Sequence, residues 1–498
     1  MSRPPPRRPV VLGCVMLALF MSAVEVTIVA TALPQIVGAL GGFALYTWVF
    51  SGFLLTQTAT ILVFGKLADL YGRRPVLIGG MAMFLVGSTL CGFAWSMPAL
   101  IAFRLLQGLG AGSIQPVAIT IVGDLYDANE RPRVQGWLSS VWGFAAIIGP
   151  LTGGIIVEAL SWRWIFWINV PVGLCAIAGL ALFYHEHVRH RRHAIDYAGT
   201  VCFCAGMAAL LVALMEGGVD WPWASLPTVL LAALFASASA LYLARERRAP
   251  EPMIDLRLWR TPLIARVNAS ALFGGATIIG VTSFVPIDVQ GVLGRSAIVA
   301  GFALTAMSVG WPIASTLSGR FLRAFDARGT VRIGGALLFV GALLLAVKPA
   351  SAGPPWIGAG SFVIGFGMGL LNTTFTIVIQ GSVPWEQRGS ATAANIFSRM
   401  LGGTIGAAIL GAVLNAVLHE RLGASNGAAN GIEGIRRVFA GGSEALSAAE
   451  TAALTAALAS GLAHVFLVLA LFGALALVAA WLVPRHAIFA PAEERRAR

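Results

Sequence analysis

Gly65-Lys66-Leu67-Ala68-Asp69-Leu70-Tyr71-Gly72-Arg73-Arg74 closes one long apolar run and opens the next. Basic residues alone would hold such a connection on the cytoplasmic side of a bilayer through the positive-inside bias. That bias needs neither Asp69 nor the glycines. An acid, a glycine and two arginines in so short a turn can pair with helix ends, or with acids across an interface that moves. Asp69, Gly72, Arg73 and Arg74 are therefore candidate gating residues.

Outward from this turn the chain is apolar almost throughout. Of its 498 residues, 57% are hydrophobic and 11% charged, against roughly 25% charged in soluble domains. A water-facing surface at this size needs more polar cover, and lipid removes the need: apolar runs of about 18 residues or more cross a bilayer as helices. Fourteen such segments fall near 10–33, 44–66, 75–95, 98–122, 136–159, 165–184, 197–215, 225–244, 263–287, 297–317, 330–348, 356–380, 389–416 and 458–483. Lys and Arg concentrate in alternate connections and in both tails, which puts both termini in the cytoplasm.

The net charge of +12 does not point to nucleic acid, because the basic residues sit in short clusters between apolar runs. Cys14, Cys91, Cys175, Cys202 and Cys204 lie inside apolar segments without metal-ligand spacing, as buried small hydrophobes do. His185, His187, His190 and His193 read as a solvated linker rather than a metal site. No metal, cofactor or catalytic residue is expected. Arg3, Arg7 and Arg8 precede an apolar run that ends in a signal-peptidase-like Ala30-Thr31-Ala32. Val10 to Leu33 is long enough to span and contains Glu25, so it reads as a retained first helix.

The halves echo one another. Gly65-Lys66-Leu67 follows the second span and Gly319-Arg320-Phe321 the tenth; Glu130-Arg131 follows the fourth and Glu386-Gln387-Arg388-Gly389 the twelfth. Spans 1–6 and 9–14 then form equivalent bundles, with spans 7 and 8 as an extra hairpin.

Ionisable groups inside a bilayer are functional candidates by default. Glu25 lies about 12 Å and Arg104 about 9 Å from the outer ends of spans 1 and 4 by helical rise, so the two can share one cavity. A carboxylate beside a guanidinium exchanges a proton when its surroundings switch between wet and dry; the alternative is a static buried pair. Arg399, at mid-depth of span 13, suits either an anionic group or neighbouring carbonyls. Asp288, Glu158, Glu216 and Asp220, at the outer ends of their spans, are expected at headgroup level. Gln57, Gln107, Trp142, Asp288, Asn372, Asn395 and Arg399 are taken as candidate substrate contacts. Gly149-Pro150-Leu151-Thr152-Gly153-Gly154 in span 5 is either a hinge or a tight packing seam.

These residues resemble the major facilitator superfamily, and within it the fourteen-span drug/proton antiporters of the EmrB/QacA type. Gly65, Leu67, Asp69, Gly72, Arg73 and Arg74 match the signature G-x-L-a-D-r-x-G-r-k, with Leu70 where a basic residue is usual. Arg104, Gln107 and Gly108 are similar to R-x-x-q-G, whose arginine the resemblance implicates in proton coupling. Gly149, Pro150, Gly153 and Gly154 resemble the antiporter motif g-x-x-x-G-P-x-x-G-G, with Ala145 at its first position; this motif implies export. Thr27, Ala32, Leu33 and Pro34 match L-D-x-T-x-x-x-x-A-L-P, with Glu25 in place of the aspartate. Trp162 to Pro171 and Arg399 match as well.

The resemblance implies an all-α integral membrane protein: two six-helix bundles plus an inserted two-helix hairpin, fourteen transmembrane helices in all. The divisions expected are 1–190 for the first bundle, 191–260 for the hairpin and its linkers, and 261–498 for the second bundle. The implied activity is proton-driven export of drugs or other small amphipathic molecules by alternating access, with Glu25 and Arg104 coupling protons. A monomer in a bacterial inner membrane, with a periplasmic adaptor as a partner, completes the expectation. A proton symporter on the same fold is the first rival; span 5 and the scarcity of polar cavity residues speak against it. A membrane enzyme or sensor is the second, and neither a nucleophile triad nor a sizeable soluble domain is present in the sequence.

Overall fold

In lipid, an apolar run has one self-sufficient local form: a helix, which satisfies its own backbone hydrogen bonds. The computed structural model of the chain is built of such helices. It describes residues 8–41, 45–127, 130–186, 197–216, 221–246, 256–349, 352–422 and 448–484. The expectations for His187, His190, His193, Asp220, both tails and most of the outer connection after span 13 lie outside the described residues.

The helices are α1 (Arg8–Leu40), α2 (Tyr46–Tyr71), α3 (Arg73–Gly92), α4 (Met97–Leu125), α5 (Arg131–Ala159), α6 (Trp164–Trp167), α7 (Asn169–Phe183), α8 (Tyr197–Glu216), α9 (Leu226–Glu246), α10 (Leu256–Arg260), α11 (Pro262–Ile287), α12 (Ala297–Ala346), α13 (Pro354–Ser382), α14 (Arg388–Leu422) and α15 (Ala448–Trp481). Among the described residues, 11 stretches are long and apolar enough to cross a membrane.

Several expectations change in detail. The sixth span is broken at Ile168 into α6 and α7. The tenth and eleventh spans are two helices joined directly within α12 at a kink, where the backbone of Asp326 (φ 58°, ψ −178°) leaves helical geometry. Of the five cysteines only Cys91 is buried, and Cys175 is exposed; apolar surroundings in this sequence therefore do not imply a protein core. Glu158 is exposed, whereas Glu216 and Asp288 are 4% and 1% exposed, which corrects the expectation that headgroup-level solvation accounts for them.

The chain divides into two compact units, Met1–Ala265 with Phe375–Phe397 and His486–Arg498, and Arg266–Thr374 with Ser398–Arg485. In the first, α4 is held between α2 and α3, while α1 packs on α5 and α7. Small residues on α4 make this possible. A Cβ on Gly108 would collide with the Phe53 carbonyl of α2, and one on Gly110 with the backbone of α3. Thr56 of α2 donates to the Leu105 carbonyl at 2.9 Å, so the α2–α4 seam is hydrogen-bonded as well as close. Along α1 the apolar core changes from a cluster around Leu19 and Phe84 to one around Ile28 and Phe166, and Glu25 lies beside that changeover. In the second unit α12 packs on α15.

Candidate functional site

Glu25 and Arg104 are both 0% exposed and form an ion pair through Glu25 Oε1 and the Arg104 terminal nitrogen. Arg104 also donates from Nε to the Val49 carbonyl at 2.9 Å and to Gln107 Oε1 at 2.8 Å. The Phe53 ring lies 4.3 Å from its guanidinium carbon. Its position is thereby set from α2 and α4 together. The second carboxylate oxygen accepts from Asn169 Nδ2 at 2.6 Å. Asn169 in turn donates to Ser88 Oγ at 3.1 Å, and Ser88 to the Phe166 carbonyl at 2.8 Å.

Every contact to Glu25 is thus a donor, which is the pattern an ionised carboxylate satisfies. A proton on either oxygen would turn an acceptor into a donor facing a donor. Protonation must therefore release Arg104 or Asn169, and with it one of the ties between α1 and α4 or α7.

The second cluster surrounds Arg73, also 0% exposed. Gly72 (φ 97°, ψ 153°) separates α2 from α3 in a backbone geometry that suits glycine. The turn folds Arg73 back to Asp69 at 3.1 Å. Arg73 also meets Asp124 at 3.2 Å and Glu186 at 3.8 Å, donates to the Trp385 carbonyl at 2.7 Å, and has its guanidinium carbon 3.8 Å from the Trp385 ring centroid. Asp69 accepts from the backbone N–H groups of Gly389 at 2.8 Å and Ser390 at 2.7 Å, the first turn of α14, where the helix dipole favours an anion. Gly389 is required there, since a Cβ would lie 2.6 Å from Asp69 Oδ1. Arg388 pairs with Asp124 at 3.1 Å. Arg74 donates its backbone N–H to Glu186 at 3.0 Å. Burial pushes the Glu186 carboxyl above its usual range, partly offset by that N–H and by the charge of Arg73.

A buried acid–arginine pair thus joins α1 to α4, and the Asp69–Arg73 turn is clamped to the start of α14; comparison with known proteins gives the family that carries them. The profile described as Major Facilitator Superfamily matches residues 15–407. The chain belongs to the Major Facilitator Superfamily. It is similar to "Multidrug resistance protein 3" of Bacillus subtilis (strain 168), 36% identical over 396 residues, 80% of this chain and 77% of that protein. It is also similar to "Multidrug transporter protein MdtP" of the same organism, 35% identical over 398 residues, 80% of this chain and 74% of that protein. Among solved structures, the human organic anion transporter MFSD10 (TETRAN) shares the fold with a TM-score of 0.61 at 15% identity, over 94% of this chain and 100% of that chain. As a member of this superfamily, the chain is a membrane-spanning transporter by family and fold.

Within this major facilitator chain the remaining candidates are dispersed. Gln57 is buried on α2, and Gln107 belongs to the Arg104 network, where it also accepts from the Cys91 thiol at 3.8 Å. Trp142 on α5 is 38% exposed. Asn395 is buried and Asn372 half-buried. Asp288 opens a π-helical turn, Asp288–Val292, and takes Lys348 on both oxygens at 2.6 and 2.7 Å. On α5, Gly149 touches α1: a Cβ there would strike Thr27 Oγ1, which donates to the Ala145 carbonyl at 3.1 Å. Gly153 is buried, Gly154 has open space at its Cβ position, and the Pro150 side chain lies outside the described residues. Sequence reasoning missed Asn169, Asp124, Glu186, Trp385 and Lys348. Asp124 and Lys348 carried a signal, as charges abutting apolar runs; uncharged Asn169 carried only its place in the Trp162–Pro171 match.

Proposed function

We propose that this transporter exports drugs or other small amphipathic molecules in exchange for protons, by alternating access of two six-helix bundles. The observation that carries the reading is the closure of Glu25 between Arg104 and Asn169, one donor on each oxygen of a carboxylate with no exposure. A proton arriving at Glu25 breaks that closure, and its departure restores it. Chemical energy is thereby tied to the packing of α1 against α4 and α7. Export rather than uptake is supported by the glycine–proline stretch of α5 seated on α1 at Thr27, and by relatives named for multidrug resistance and transport.

In this reading α5 and α8 also span, and α12 crosses twice, turning at Asp326. That brings the spanning helices to fourteen, the number of the EmrB/QacA branch, with α8 and α9 as the inserted hairpin between bundles at 1–190 and 261–498. The protein then sits as a monomer in a bacterial cytoplasmic membrane with both termini inside, and a periplasmic adaptor receives its cargo.

Everted membrane vesicles test this directly. With an imposed pH gradient, the wild type accumulates a fluorescent amphipathic dye. Glu25→Gln keeps the volume and an acceptor for Arg104 but cannot cycle a proton, so gradient-driven uptake falls at least about tenfold while the amount of inserted protein is unchanged. Undiminished gradient-driven uptake by Glu25→Gln overturns the coupling role.

A further inference from the structure

Three arginines stand deep in this sequence's apolar helices or their ends, and the fold treats them differently. Arg104 has Glu25, and Arg73 has Asp69, Asp124 and Glu186. Arg399 has no carboxylate within ion-pair distance among the described residues, and its Nε is buried without a hydrogen-bond partner. Its neighbour is an aromatic ring: the guanidinium carbon lies 6.0 Å from the centroid of Trp311 on α12. The acids with described side chains in the same compact unit are committed elsewhere. Asp288 is held by Lys348, and Asp326 caps the break in α12 by accepting from the Gly329 N–H at 2.7 Å. Glu420 lies 21 positions further along α14, roughly 31 Å by helical rise.

The backbone beneath Arg399 is fixed. A Cβ on Gly275 of α11 would collide with the Arg399 carbonyl oxygen, and one on Gly402 with the Leu272 carbonyl. The two helices therefore meet main chain to main chain across this turn, and the guanidinium reaches instead to α12. A half-buried arginine within a spanning helix, without a carboxylate partner and with a buried idle N–H, is a costly arrangement unless an anion visits it.

We propose that Arg399 and Trp311 form a subsite for an amphipathic organic monoanion: the fork of Arg399 takes a carboxylate or sulfonate, and Trp311 takes the adjoining aromatic or apolar body. The proposal rests on the transport reading and narrows its substrate class. It needs no gradient, so it is tested by binding alone.

Full-length protein in phosphatidylcholine nanodiscs, where no anionic lipid competes, is titrated at neutral pH with radiolabelled naphthoate and, separately, with neutral naphthamide. The wild type binds the carboxylate about tenfold or more tighter than the amide, the scale of a charge-assisted bond in a dry site. Arg399→Met brings that ratio near one, while Arg399→Lys keeps part of it. Equal affinity of the wild type for the two probes, or an intact preference in Arg399→Met, overturns the proposal. Should Arg399→Met fail to give a monodisperse protein, the wild-type ratio and the Arg399→Lys variant decide. The ratios are read at equilibrium with no gradient, whereas the coupling is read in vesicles with one, so the two readings fail separately.

Discussion

At the scale of single residues, Asn169 is the least conspicuous member of the buried cluster and one of the most constrained. It donates to Glu25 and to Ser88 from one amide nitrogen. Replacing it by leucine leaves Glu25 Oε2 buried without a donor, a loss of about 1–3 kcal/mol. Asn169→Leu is therefore expected to lower Tm in detergent. Ser88→Ala removes its bonds to Asn169 and to the Phe166 carbonyl but leaves the Asn169–Glu25 bond in place, and its cost should stay under about 1.5 kcal/mol. Equal losses in the two variants would show that the Asn169–Glu25 bond holds no special place. Glu25 and Arg104 themselves were legible as charges in apolar runs at similar depth. Their third partner was not, because an uncharged amide in such a run has no marker of its own.

At the scale of elements, the α2–α3 turn depends on Gly72, whose φ of 97° and ψ of 153° lie where an L side chain is strained. Gly72→Ala is expected to cost roughly 1–3 kcal/mol and to displace Arg73 from Asp69. Gly79, within α3, has nothing within 4 Å of its Cβ position. Gly79→Ala should be neutral, or stabilising by up to about 1 kcal/mol. Thermal unfolding of the two variants in parallel checks the contrast; similar Tm values would remove the special role of the turn. The tenth and eleventh spans, expected at 297–317 and 330–348, are two helices that meet at a kink at Asp326, inside the expected connection. The basic connection is helical on either side of that residue, so charge marks where a chain leaves lipid and does not mark where a helix ends.

At the scale of the whole molecule, the segment Phe375–Phe397 belongs to the same compact unit as the first 265 residues. It brings Trp385, Arg388, Gly389 and Ser390 onto the Asp69–Arg73 turn. Glu186 joins this assembly at the end of α7, and burial raises its pKa. The folded form thus retains a proton that the unfolded chain has lost. Its contribution to stability is fully present below the ordinary carboxylate value and declines as pH rises through the raised one. Glu186→Gln should flatten that part of the profile, by at most about 1.4 kcal/mol per pH unit. Tm measured across mildly acidic to neutral pH in both proteins is the check, and parallel profiles would assign the slope to other groups.

That the chain is helical and membrane-spanning, where its apolar runs lie and which charges enter them are all legible in the residues alone. Those properties are local: run length, composition and the cost of a charge in lipid are read residue by residue. Only the tertiary structure decided the partnerships. Asp69 meets Ser390 across 321 positions, and Glu25 meets Asn169 across 144. Helices whose outer faces meet lipid are apolar on all sides, so hydrophobic periodicity does not tell which face seeks a neighbour. Arg104 had a matching acid at similar depth in the sequence and Arg399 had none; the fold closed the first pair and set an indole ring beside the second arginine.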